Sequence, residues 1–208
     1  MPDSASEPAL RSVDRAMERR RVTYENEVRR LIEAGFTLVQ RTGKLEPTVG
    51  AIVAEAGLSN QAFYKHFHSK DELLLAMLEE GVLLLRSYIE HRVASGDTCR
   101  ARIRNWIEGV LEQALSEQGA AATRPFVISR ARLSERFPRE VEEAEARLTA
   151  MLREEIRRGV ASGELPAADP ERDARLLYNL AMGWVERQLV DPSPADVADA
   201  KHLVEFAL

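Results

Sequence analysis

Asn60, Gln61, Tyr64, Lys65 and His66 fall within seven consecutive residues, and each carries a side-chain hydrogen-bond donor. The amides of Asn60 and Gln61 can each make two bonds at once to a planar edge such as N6 and N7 of adenine, and Lys65 suits an acceptor-rich edge such as that of guanine. Tyr64 and His66 offer single donors. This is chemistry for recognising a surface rather than for breaking a bond. Little else in the chain competes with it. His66, His68, His91 and His202 form no i, i+4 pair, and none stands at ligand spacing from Cys99, the only cysteine, so no metal is expected. There is no glycine-rich phosphate loop and no nucleophile elbow, and Glu142-Glu143 and Glu154-Glu155 read as solvated charge on a helix. No catalytic residue and no cofactor are expected, which leaves an enzyme as the weaker reading.

The elements that must position these donors occupy 48–78, which reads as three helices with two short breaks. Thr48 is an N-cap, and Val49, Ile52, Val53 and Ala56 recur at helical spacing behind it. Gly57 can take the positive φ that ends a helix, with Leu58 folding back onto the apolar side. Ser59 caps the second helix, in which Ala62, Phe63 and Phe67 form the apolar side and the donors take the other. Ser69 and Glu72 form a capping box for the third. Lys70 sits in that helix's first turn against the dipole, which suggests an anionic partner such as a DNA phosphate. Two helices joined by a three- or four-residue turn containing glycine are the helix-turn-helix arrangement, whose second helix enters the major groove.

Thr48, Ile52, Ala56-Gly57, Ser59, Tyr64, Phe67 and the run from Ser69 to Leu74 together resemble the N-terminal domain of the TetR family of transcriptional repressors. The clear match covers about the first third of the chain; beyond it the resemblance is one of helical character and length. It implies an all-α protein with a three-helix DNA-binding unit, joined by a long helix to a ligand-binding and dimerisation domain. It also implies phosphate contacts from Thr48, Ser59, Tyr64, His66 and Lys70, with Asn60, Gln61 and Lys65 left to read bases. Three residues depart from the family pattern. Gln61 stands where a small residue or proline is common, Val53 where alanine is usual, and Gly50 where a longer polar residue often reaches the DNA. The first implies an unusual base readout or a shifted helix.

At 208 residues, 45% apolar and 30% charged, the chain can bury one ordinary core or two small ones. No stretch approaches the roughly 18 uncharged apolar residues that span a bilayer. The opening carries acids and no signal-peptide core, and a lone cysteine fits a reducing compartment, so a cytoplasmic location with no membrane partner is expected. The net charge of −5 divides unevenly, with +4 between 11 and 70 and −9 elsewhere, which places cation around the helix-turn-helix. Residues 1–20 read as a flexible basic arm, with Arg19-Arg20-Arg21 able to lie along a groove or simply to solubilise a helix start. The DNA-binding domain is expected over 21–81, its first helix running from Thr23 to near Gly43, and a helical domain over 82–208.

The third helix keeps one face apolar from Lys70 to about Ala94, a rod of some 37 Å. Further helices are expected over 98–118, over 124–137 with Pro138 after its end, over 140–162 ending at Gly163, from Asp169-Pro170 to about 190, and after Ser193-Pro194. The helix from Pro170 is apolar around most of its circumference, which calls for a second partner; the family resemblance supplies one, a homodimer in which Leu177, Ala181 and Trp184 meet their copies. Trp106, Phe126, Tyr178 and Met182 are the large residues available for a ligand pocket, with Arg130 or Asn179 as polar neighbours, and it is the resemblance that raises them above plain core. The expected partners are a double-stranded DNA operator, a second copy, and an apolar or amphipathic small-molecule effector. A ligand-independent DNA-binding regulator and an enzyme with an unrecognised site remain the alternatives.

Overall fold

The computed structural model describes residues 7–42, 47–191 and 197–208, and among these every regular element is a helix, with no strand. The N-terminal unit is built from α1 (Glu7–Thr42), α2 (Val49–Ala56), α3 (Asn60–His66) and the first turns of α4 (Lys70–Ala94). The body that follows is α5 (Cys99–Leu115), α6 (Glu117–Arg136), α7 (Pro138–Ser162), α8 (Pro170–Val190) and α9 (Val197–Phe206). Gly43 and Ser193-Pro194, read above as helix punctuation, lie outside the described residues.

Local chemistry sets the breaks around α3. The Thr48 and Ser59 hydroxyls accept from the N–H groups of Ala51 at 3.2 Å and Ala62 at 3.1 Å. Gly57 adopts φ 61°, and the next N–H, of Leu58, reaches back to the Val53 carbonyl at 2.8 Å. Arg30 of α1 donates to the carbonyls of Ala56 and Gly57 and so pins the turn from outside. The Ser69 hydroxyl caps α4 by accepting from Glu72 N–H, but the Glu72 carboxylate turns to the N–H of His68 at 2.7 Å rather than to that of Ser69. Leu31, Ile52 and Phe63 are fully buried in the small core these caps enclose; each such side chain contributes about 1.5–3 kcal/mol.

A second core fills the body. One rod serves both: Leu73 and Met77 of α4 pack into the first, and Val82, Ile89 and Val93 into the second. The end of α7 is tied to the start of α5 by Glu164, just past the Gly163 stop (φ 76°), whose carboxylate accepts from the N–H groups of Arg100 and Cys99 and is thereby held below the ordinary glutamate range.

Four expectations about elements are corrected. α1 begins at Glu7, not Thr23, so 7–20 is helix rather than flexible arm; ion pairs one turn apart, Glu7–Arg11 at 3.1 Å and Glu18–Arg21 at 3.1 Å, support a stretch with no apolar partner. The helix expected over 98–118 is cut at Ser116, whose extended backbone ends α5 and whose hydroxyl caps α6. α6 then runs through Pro125, which removes one intrahelical hydrogen bond without ending the helix. Finally, one side of α8 is buried by its own chain. Ala181 is fully buried and Trp184 nearly so against α5, α6 and α7, which takes these two off the surface, while Leu177 is half-buried at the edge of the same core. The outward side of α8 carries Leu176, Leu180, Gly183 and Val190 instead.

Candidate nucleic-acid interface and internal cavity

Asn60, Gln61 and Tyr64 are exposed together on the outer side of α3, with Thr48 and Ser59 exposed beside them. The hydroxyls of Thr48 and Ser59 accept their cap bonds and keep a proton to donate outward. Tyr64 stands 58% exposed, its ring edge-on to Phe63 at 5.3 Å. Lys70 is exposed, yet it already has an interaction within the chain, so its position against the dipole is not by itself a reason to seek an external anion.

His66 and Lys65 turn the other way. The His66 side chain is fully buried, its Nε2 2.6 Å from the Glu27 carboxylate of α1 and its ring edge-on to Tyr24 at 4.1 Å. It cannot touch a phosphate from there; its role is to anchor α3 to α1. Lys65, half-exposed, spans to the same carboxylate at 3.0 Å and lies over the Tyr24 ring, which draws it away from the base-reading edge. Bonds from His66 and then Lys65 hold the Glu27 carboxyl below its ordinary range.

Behind this surface lies a cavity of about 800 Å³. Its walls come from α4, α5, α6, α7 and α8 and also from α1, which contributes Phe36, Thr37 and Gln40. The rings of Phe36 and Phe126 meet edge-to-face at 6.3 Å where the two units join. Phe126, Tyr178 and Met182 line the cavity as expected, and Arg130 sits among them. Trp106 does not line it. That indole is buried in the second core, with its N–H donating to the Leu148 carbonyl at 3.2 Å. The lining from α1 was invisible in the sequence, because Phe36 belongs to a stripe that also packs the first core. One further link joins the units. Asp71, in the first turn of α4, is gripped by Arg132, at 3.3 Å, and by Arg136, one turn apart on α6. No group of metal-ligating side chains forms among the described residues, and no helix of the described residues is long and apolar enough to cross a membrane.

A glycine-turned pair of short helices presenting amides and hydroxyls, carried on a helical body with a cavity, defines a helix-turn-helix transcription regulator. The chain belongs to the TetR family: residues 31–77 match the model described as bacterial regulatory proteins, tetR family, and residues 99–208 the one described as BetI-type transcriptional repressor, C-terminal. Solved structures share the fold. The transcriptional regulator FadR from Bacillus subtilis, in complex with stearoyl-CoA, superposes with a TM-score of 0.68 at 17% identity over 86% of this chain and 96% of that one. AibR, in complex with isovaleryl coenzyme A and operator DNA, gives 0.58 at 17% over 86% and 95%. A putative TetR-family regulator from Streptomyces avermitilis gives 0.60 at 27% over 87% and 97%.

Proposed function

We propose that this DNA-binding regulator is a repressor that holds an inverted-repeat operator as a homodimer and releases it when a small molecule occupies the cavity. The observation that carries the reading is that one cavity is walled both by α1 of the DNA-binding unit and by four helices of the body, so an occupant touches both sides of the joint. A ligand shifts an equilibrium only through differential contacts with its two states, and a wall made of both units supplies them. FadR and AibR, which share the fold, were solved with acyl-CoA compounds, and AibR with operator DNA as well.

On DNA, Asn60 and Gln61 read bases from the exposed start of α3, while Thr48, Ser59, Tyr64 and Lys70 hold phosphates. In the dimer, the outward side of α8 meets its copy. Gly183 supports this: it is exposed in mid-helix, where a Cβ would meet nothing within 4 Å. Glycine there costs about 1 kcal/mol relative to alanine, which a closely approaching partner helix would account for.

The test is fluorescence anisotropy on a site selected by the protein from random DNA. Gln61→Ala should cost about 1–3 kcal/mol on that site and leave scrambled DNA unaffected; equal losses on both would remove Gln61 from base reading. Compounds from an apolar and amphipathic panel that raise the thermal midpoint should weaken operator binding, with a coupling of about 1–3 kcal/mol. If stabilising compounds leave operator affinity unchanged, the release mechanism is wrong.

A further inference from the structure

The charged groups around the cavity are unequal in sign. Glu33, Glu112, Glu145 and Glu186 line it against one cation, Arg130. That cation is committed, since its guanidinium bonds Glu145 at 2.8 Å and approaches Glu186 at 3.4 Å. The bond to Glu145 raises the Arg130 pKa further, so the guanidinium stays charged and engaged. Two carboxylates on one guanidinium leave this trio negative. Glu33 sits exposed at the rim, 3.8 Å from Arg29. Glu112 is half-buried on α5, and its carboxylate has neither a hydrogen bond nor an ion pair among the described residues. Tyr178 lines the same space with 6% of its surface exposed, and its hydroxyl has no hydrogen-bond partner among the described residues. Burial first, and the Glu145 charge second, push that phenol above its ordinary pKa, so it stands as a neutral, unmatched polar group. The aromatic side chains Phe36, Tyr88 and Phe126 supply the remaining character.

We propose that the cavity takes a monovalent organic cation with a bulky apolar body, seated among the aromatic side chains with its charge toward Glu112 and the Glu145–Glu186 pair. This rests on reading the cavity as the effector site. A cation stripped of water needs compensation, and carboxylates a few ångströms away together with aromatic faces provide it. The phosphates of a coenzyme A thioester would instead enter a field of carboxylates with no uncommitted cation, and like charges at such distances repel by kilocalories even at an effective dielectric constant of about 20. The effector class bound by FadR and AibR is thus a poor match for this lining.

Tetraphenylphosphonium and tetraphenylborate, alike in size and shape and opposite in charge, separate sign from apolar fit. Calorimetric titration of the full chain should give phosphonium binding at least about tenfold tighter than borate or stearoyl-CoA. Glu112→Gln and Glu186→Gln, which leave the Arg130–Glu145 bond in place, should each weaken phosphonium several-fold and, by removing a repelling charge, tighten borate. Borate or stearoyl-CoA binding as tightly as phosphonium would overturn the proposal, and so would no binding of phosphonium, or a cation preference untouched by both variants. In none of these cases does the effector-site reading fall, because that depends on whether compounds seated in the cavity change operator affinity.

Discussion

His66 shows how a side chain can carry recognition chemistry and spend it internally. Its imidazole and the Lys65 ammonium converge on Glu27, so α3 is fastened to α1 through one carboxylate. The lowered Glu27 pKa sets the sign of a pH effect. Its ionised form is favoured in the folded chain, so the contribution is complete above the unfolded value, near 4.5, and fades as pH falls from there through the lowered native value. Thermal melts should therefore show an acid-side loss of stability that is shallower in Glu27→Gln; an identical acid limb in the two proteins would remove the carboxylate from this role. The caps at Thr48, Ser59 and Ser69 and the turn at Gly57 were legible in the sequence because each is satisfied within three or four residues. The fate of Lys65 and His66 was not, because their shared partner lies 38 and 39 residues away.

At the scale of elements, helix limits were easier to read than helix faces. Gly163 and Asp169-Pro170 end α7 and begin α8 where caps and proline demand. Pro125, by contrast, was read as near a helix start, although α6 had already begun at the Ser116 cap and continued past it. In α8 the near-complete apolar circumference gave no phase, and only packing against α5, α6 and α7 decides which residues look outward. The consequence is testable in neighbouring residues. Leu180→Asp, on the outer side, should yield folded monomers in sedimentation with weakened operator binding. Ala181→Asp, one position on, should instead unfold the body, since an unpaired charge in a core costs several kcal/mol. A folded dimer from Leu180→Asp would move the interface off this face.

For the molecule as a whole, α4 passes without a break from the first core to the second, and the change of partner falls near Gly81, where a Cβ would lie 3.8 Å from Phe126 and 3.9 Å from Phe36. The rod itself was plain from its apolar stripe. That a cavity would open where α1 and α6 meet beside it was not, because a void is a property of side chains from six helices at once.

The grip of Arg132 and Arg136 on Asp71 also makes communication between the units sensitive to ionic strength. Counterion release weakens operator binding in the same proportion with or without an effector, provided both states touch the same phosphates, so it cancels from the ratio of the two affinities. The clamp does not cancel. Both arginines are about half exposed, so contracting the Debye length below about 10 Å loosens their hold on the root of α4. The factor by which an effector weakens operator binding should shrink as salt rises, and in Asp71→Asn it should start smaller and stay nearly flat. A factor constant with salt in the wild-type chain would mean that the cavity speaks to the DNA surface through α1 alone.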